Sequence, residues 1–392
     1  MAATSHAAHK TVTTSRILIP SDERLRMQPR VRTALIFVLT LGLLAVFLRS
    51  VDVSGVWMET RRASPVPLLL AVVATGITYA VRAFRWQYLL APIGATRFST
   101  AFQTTVIGFA ATFLLPARAG EVVRPYLLAR RENLNATAAF ATIILERLLD
   151  LLVVLLLFAA FVLTAEPATV SGDPAFFARV KFGGLMAGAV ATAGAIGLFA
   201  LAGHPERMGR LALRVERVLP EKLARVVATF VETFAQGLAV MRQPRRLLVS
   251  LVLSLPLWLA IAAGIWLTSR AFHITFPYPA SFLVMTILVV GVAVPTPGAV
   301  GGFHLAYQIA VESFFGVPPD RAVGAAIVLH AISFVPVTLL GIVFMAREGL
   351  TFGGVRDLAA DAGNRAAHRQ DFDASPLSRP GMVKPGAGAR SK

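Results

Sequence analysis

The chain has 392 residues, 56% of them hydrophobic and only 15% charged, with a mean hydropathy of +0.68. Soluble chains carry about 25% charged residues, so a soluble multidomain protein is excluded and bilayer-crossing runs are expected. The absence of cysteine rules out disulfides and thiolate chemistry, and the net charge of +17 is assigned to cytoplasmic loops rather than to nucleic-acid binding.

In chain order, residues 1–32 read as a basic, disordered cytoplasmic segment. The apolar run Thr33 to Leu48 ends in Leu48-Arg49-Ser50-Val51-Asp52 rather than at a small-residue cleavage site, so it reads as an uncleaved first span. Further uncharged runs follow from Ala63 to Val81, Phe98 to Ala117, Phe182 to Pro205, Leu247 to Ser269, Ala271 to Val311 and Ala322 to Ala346. An eighth apolar segment, Leu134 to Ala165, is interrupted by Glu146, Arg147 and Asp150. Between the spans, residues 205–246 form an amphipathic segment. Leu223, Val227, Phe230 and Phe234 repeat at helical spacing behind a basic stripe of Arg207, Arg210, Arg214 and Arg217. This pattern suits helices lying on an anionic leaflet; a surface helix packed on the bundle fits it equally. The membrane domain is set at 33–349, and the Ala-, Gly- and Pro-rich tail 350–392 reads as disordered and cytoplasmic.

Eight full crossings from a cytoplasmic N-terminus would leave the nine Lys and Arg of His204 to Arg246 outside, against the positive-inside rule. Helix breakers resolve the conflict. Pro116 and Gly120 interrupt one segment, and Pro295, Pro297, Gly298 and Gly301 interrupt another. Such breaks are tolerated at membrane depth only where protein or a polar cavity covers them. The expected fold is therefore an all-α polytopic membrane protein of six spans plus two re-entrant helical hairpins, with both termini cytoplasmic in the inner (plasma) membrane. The prolines Pro116 and Pro297 lie 181 residues apart, and Glu146 and His330 lie 184 apart. These echoes predict an inverted 3+3 repeat, about 33–165 and 181–349, with a substrate site at the repeat interface.

The residues able to carry chemistry follow from that frame. Glu146, Arg147 and Asp150 lie well inside an apolar helix, where each charge costs roughly 2.5–3.5 kcal/mol and so needs a partner or a watery cavity. A pathway role is favoured over an ion-paired core. Arg118, Glu121 and Arg124 follow the Pro116 break, where a new helix start and guanidinium forks favour a phosphate. Arg82 and Arg85 read as interfacial anchors beside Trp86 and Tyr88. His304 and His330 flank the second break; two histidines without a third ligand do not make a metal site, which leaves a proton relay or a hydrogen-bonded pair.

Three motifs in this order carry a family resemblance: Leu115-Pro116-Ala117-Arg118-Ala119-Gly120-Glu121 with Arg124, then Glu146-Arg147-Leu148-Leu149-Asp150, then Pro295-Thr296-Pro297-Gly298 with Gly301. Together they resemble the flippase-like membrane domain of lysylphosphatidylglycerol synthases over roughly Thr33 to Gly349. The resemblance implies a lipid-translocating fold with two re-entrant elements. Two positions depart from the family pattern, since His304 stands where Glu is common and His330 where Arg is common. No soluble synthase domain is expected, so the synthase activity is not carried over.

The expected function is a transporter, not an enzyme, that moves an anionic phospholipid or lipid-linked intermediate between leaflets without a cofactor. Arg118, Arg124 and Arg147 would bind the headgroup phosphate, and Glu121, Glu146 and Asp150 would compensate charge or couple a proton. A non-transporting partner subunit is the alternative. An integral-membrane glycosyltransferase ranks third, because the first outer loop offers only Asp52 and Glu59. A homo-oligomer is left open.

Overall fold

The computed structural model describes residues 52–115, 118–164, 174–202, 244–294 and 296–350, with a few helical positions between 38 and 45. The basic N-terminus, most of the first span, Pro116, Pro295, the amphipathic stretch 205–243 and the tail from 351 lie outside the described residues. Ten α-helices are described in 52–350: α1 (Val53–Arg62), α2 (Pro65–Leu90), α3 (Phe98–Leu114), α4 (Gly120–Arg131), α5 (Ala136–Thr164), α6 (Pro174–Ala202), α7 (Pro244–Ala271), α8 (Ser281–Ala293), α9 (Gly302–Phe315) and α10 (Pro319–Arg347). There is no strand among the described residues.

Four of these helices, α2, α5, α7 and α10, are long and apolar enough to cross a membrane. Large side chains such as Leu69, Val73 and Ile77 on α2 and Val335, Leu339 and Val343 on α10 are exposed. A surface of this kind belongs in lipid, since soluble monomers rarely expose large contiguous apolar patches. Local signals set the helix ends. Asp52 caps α1 by accepting from the Ser54 amide at 3.0 Å, and the Ser54 contacts hold its carboxyl below the usual range. Pro65 and Pro319 open α2 and α10, and Gly316 closes α9 in the left-handed region at φ 63°.

The helix contacts define two ends of the bundle. At the α1 end, the Ser64 amide donates to the Ala271 carbonyl at 2.9 Å and Arg321 pairs with Glu59 at 2.9 Å. At the opposite end, Arg131 pairs with Glu348, and the Arg246 guanidinium lies over the Tyr88 ring. Helices α3 and α4 form a pair that folds back on itself and opens at this opposite end, where Arg97 reaches Glu132 at 3.6 Å. Helices α8 and α9 form a second such pair. Its mouth lies at the α1 end, where Phe276 stacks on Phe315 with ring centroids 4.6 Å apart.

Each pair is clasped by glycines. A Cβ added to Gly120 would strike the Gly108 carbonyl, and one added to Gly291 would stand 2.5 Å from the Gly302 carbonyl. In each hairpin, two backbones approach as closely as only glycine permits.

Candidate functional site

Arg82 and Arg85 project from α2, Arg124 from α4, and Glu146 and Asp150 from α5. The five meet in the interior, where Arg85 and Glu146 are both 0% exposed. Arg124 donates through both Nη atoms to the two Glu146 oxygens, at 3.0 and 3.2 Å. Its guanidinium also lies 3.9 Å from the centre of the Trp86 ring. Arg85 Nη1 donates to Asp150 Oδ1 and to Ser254 Oγ, each at 2.5 Å, and Trp258 Nε1 donates to the same Asp150 oxygen at 3.0 Å. Arg82 Nη1 lies 3.4 Å from both Glu146 Oε1 and Asp150 Oδ2. The α4 contribution depends on α3 having a glycine, because a Cβ at Gly108 would stand 2.6 Å from that of Arg124. Three guanidiniums thus face two carboxylates, and the Nε atoms of Arg82, Arg85 and Arg124 have no hydrogen-bond partner.

A second group lies beside the first and is more open. Glu121 Oε1 sits 3.8 Å from Arg118 Nη1 and 3.5 Å from Arg147 Nη2. The Arg118 and Arg147 side chains are 44% and 41% exposed. Phe109 separates the two groups, with the Arg82 guanidinium 4.9 Å from its ring centre and that of Arg147 5.9 Å away. Together the groups hold five arginines and three carboxylates, a surplus of two positive charges (5 − 3) within an apolar bundle.

The breaks of the two helix pairs meet at this second group. Arg118, held at a φ of 53°, donates from Nη2 to the Val292 carbonyl at 2.6 Å, satisfying a carbonyl orphaned at the end of α8. Gly298 packs beside the Phe113 carbonyl, and Phe113 lies against Phe334 with centroids 4.4 Å apart. The second break is backbone-strained, with Ala299 at φ 57° as well as Gly298 at 59° and Gly301 at 85°. Two imidazoles hold it. His330 Nε2 lies 2.8 Å from the Gly298 carbonyl, the Gly301 amide approaches His304 Nδ1 at 3.4 Å, and the rings lie 4.5 Å apart. Pro297 opens the short 3-10 turn between these contacts.

The structure therefore brings Arg118, Glu121 and Arg147 together at the surface of the cluster and buries Arg124, Glu146 and Asp150 behind them. Gly120 is a packing residue of the first hairpin. Arg82 and Arg85 depart from the interfacial reading: they are buried and complete the ion cluster instead. Their spacing of three on α2 matches the spacing of four between Glu146 and Asp150, a complementarity that only the packing of α2 on α5 makes visible. Trp258 and Ser254, from the second half of the chain, carry no sequence signal of this role. Among the described residues, no group of three His, Asp or Glu is arranged to hold a metal ion.

The region that matches a known family, residues 33–341, contains every residue of the cluster. The chain belongs to the lysylphosphatidylglycerol synthase transmembrane-region family. It is 27% identical over 350 residues to glycosyltransferase AglD of Haloferax volcanii, covering 81% of this chain and 55% of that protein. The chain thus spans about half the length of that relative. A UPF0104 membrane protein of Methanothermobacter thermautotrophicus is 25% identical over 325 residues, covering 79% of this chain and 93% of that protein. The second relative is matched along nearly its whole length, and this chain, with four helices long and apolar enough to cross a bilayer, is a membrane protein of the lysylphosphatidylglycerol synthase transmembrane-region family.

Proposed function

We propose that this protein is a transporter that moves an anionic phospholipid, or a lipid-linked intermediate, between the leaflets of the inner (plasma) membrane. The observation that carries the reading is the charged cluster itself, five arginines against three carboxylates where the two hairpin breaks meet. Ionisable residues inside apolar bundles are costly and mark pathways, and a surplus of guanidiniums suits a phosphate. In the working cycle Arg118 and Arg147 receive the headgroup, while Arg124, Arg82 and Arg85 hold their carboxylates behind it. Lipid tails remain against the exposed apolar faces of the bundle.

The architecture in this reading is six spans, two re-entrant hairpins and an inverted 3+3 repeat. Several features support it. The two hairpins open at opposite ends of the bundle. Their glycine clasps, Gly108 with Gly120 and Gly291 with Gly302, lie 183 and 182 residues apart, in step with the separations read from the sequence. The α5 and α10 helices are both 29 residues long and begin 183 residues apart. Arg97, Arg130, Arg131, Arg245, Arg246 and Arg347 gather at the end opposite α1, which supports a cytoplasmic assignment for that end.

A glycosyltransferase reading is favoured by the printed name of the Haloferax relative. Against it, Asp52 is engaged in capping α1 and Glu59 in pairing Arg321, so neither acid of the outer loop is free for a metal or a base role. The partner-subunit alternative rests on the basic segment outside the described residues. Purified protein reconstituted into vesicles containing head-labelled phosphatidylglycerol tests the transport reading. A membrane-impermeant reductant should quench label from both leaflets when the protein is present. Quenching limited to the outer leaflet, as in protein-free vesicles, overturns it.

A further inference from the structure

Arg118 and Arg147 share one carboxylate oxygen, Glu121 Oε1, at 3.8 and 3.5 Å. Neither contact is at hydrogen-bond distance, so the carboxylate holds the two guanidiniums by charge while their donors stay open to a closer acceptor. One arm of Arg118 is already fixed on the Val292 carbonyl, which orients the other, and the Arg147 Nε has no hydrogen-bond partner. Glu121 itself is about one-third exposed. It stands in the first turn of α4, one turn before Arg124.

We propose that Glu121 is the charge selector of the headgroup site, biasing the Arg118–Arg147 pair toward a phosphate with one negative charge, a phosphodiester, and against one with two. This deepens the transport reading and rests on it. Two arginines and one glutamate leave a single positive charge, which a phosphodiester neutralises. A phosphomonoester brings a second negative charge to the same two guanidiniums, and that charge meets the Glu121 carboxylate already between them. The surplus charge of the buried group acts on both ligands and is not altered by a change at Glu121. The selection therefore reads as a ratio. Removing the carboxylate should favour a dianion over a monoanion by about tenfold, the effect of one additional close charge pair in a partly exposed site.

The test uses the full chain purified in detergent, with retention of phosphatidylglycerol and phosphatidic acid measured by native mass spectrometry at about pH 8, where a phosphomonoester is close to dianionic. Wild type, Glu121→Gln, Glu121→Ala and Glu121→Asp are compared. The two neutral variants should shift the ratio toward phosphatidic acid about tenfold, whereas Glu121→Asp keeps the wild-type ratio. Inorganic phosphate, itself mostly dianionic, should displace phosphatidylglycerol from Glu121→Gln far more readily than from wild type. Either neutral variant suffices if the other does not fold. An unchanged ratio in the folded neutral variant, or equal displacement by phosphate from wild type and Glu121→Gln, overturns the selector role alone. Wild type that retains neither lipid above phosphatidylcholine instead overturns the headgroup site on which it rests.

Discussion

Glu146 accepts both arms of Arg124 and lies 3.4 Å from Arg82 and from Arg85, so removing its charge leaves three guanidiniums facing Asp150 alone. Breaking a buried pair from one side costs about 3–5 kcal/mol, because the stranded charge has no water to turn to. Glu146→Gln should therefore lower the thermal midpoint in detergent markedly, and adding Arg124→Met should recover part of the loss. If the double variant is no more stable than the single, Glu146 and Arg124 are not coupled in this way. A recovery in the double variant would give Glu146 a packing role through its pair with Arg124. The half-exposed arginines behave differently. Arg118→Lys and Arg147→Lys keep the charge but lose the planar fork, and neither is closed in by packing. Both should leave the thermal midpoint nearly unchanged while lowering phosphatidylglycerol retention about tenfold, the scale of one charge-assisted hydrogen bond. Arg210→Lys and Arg214→Lys, in the diffuse basic stripe, should change neither measurement. Equal retention in all four variants would remove the headgroup role from Arg118 and Arg147.

Among the elements, the hairpins depend on contacts that one methyl group destroys. Gly120→Ala drives a Cβ into the Gly108 carbonyl and Thr112, and Gly291→Ala does the same against Gly302 and Ala306. Each should cost about 1–3 kcal/mol, the usual range for overpacking. Gly76→Ala on α2 meets nothing within 4 Å and should be neutral or slightly stabilising, since Ala is the better helix former. Thermal unfolding of the three variants checks this, and a neutral Gly120→Ala would mean the first hairpin is not clasped as described. The helix breaks were legible in the sequence because Pro and Gly interrupt otherwise uncharged runs, and the buried charges of α5 were legible because charge inside such a run needs a partner. Arg82 and Arg85 were not. They lie at the end of an apolar run, where anchoring at the interface and pairing in the interior leave the same local pattern. Only the approach of α2 to α5 separates the two. The α1 helix was missed for a related reason: ten residues of mixed polarity read as a loop, and its Asp52 cap is a weak signal by itself.

Across the whole molecule, the charge distribution and the two hairpin mouths make a joint statement about topology. If the end bearing Arg131 and Arg246 is cytoplasmic, the loop between α4 and α5 must return to the side from which α3 entered. A chain with eight full crossings would put that loop and residues 205–246 outside. The native chain contains no cysteine, so single cysteines report without background. Arg124 is a poor reporter, since it is buried against Trp86, and the exposed Asn133 serves in its place. With an impermeant maleimide applied to intact cells, Arg62→Cys should label. Asn133→Cys, Arg217→Cys and a cysteine in the tail should label only after the membrane is opened. Positions 133 and 217 carry the weight, because both change sides between six and eight crossings. Labelling at 133 from outside would mean that the segment from Phe98 to Asn133 crosses the membrane once instead of returning to the side it entered. Labelling at 217 alone would leave the first hairpin intact but reverse the second half of the bundle. Protection of both leaves the inverted arrangement as the one that keeps the basic loops inside and the charged cluster at the centre.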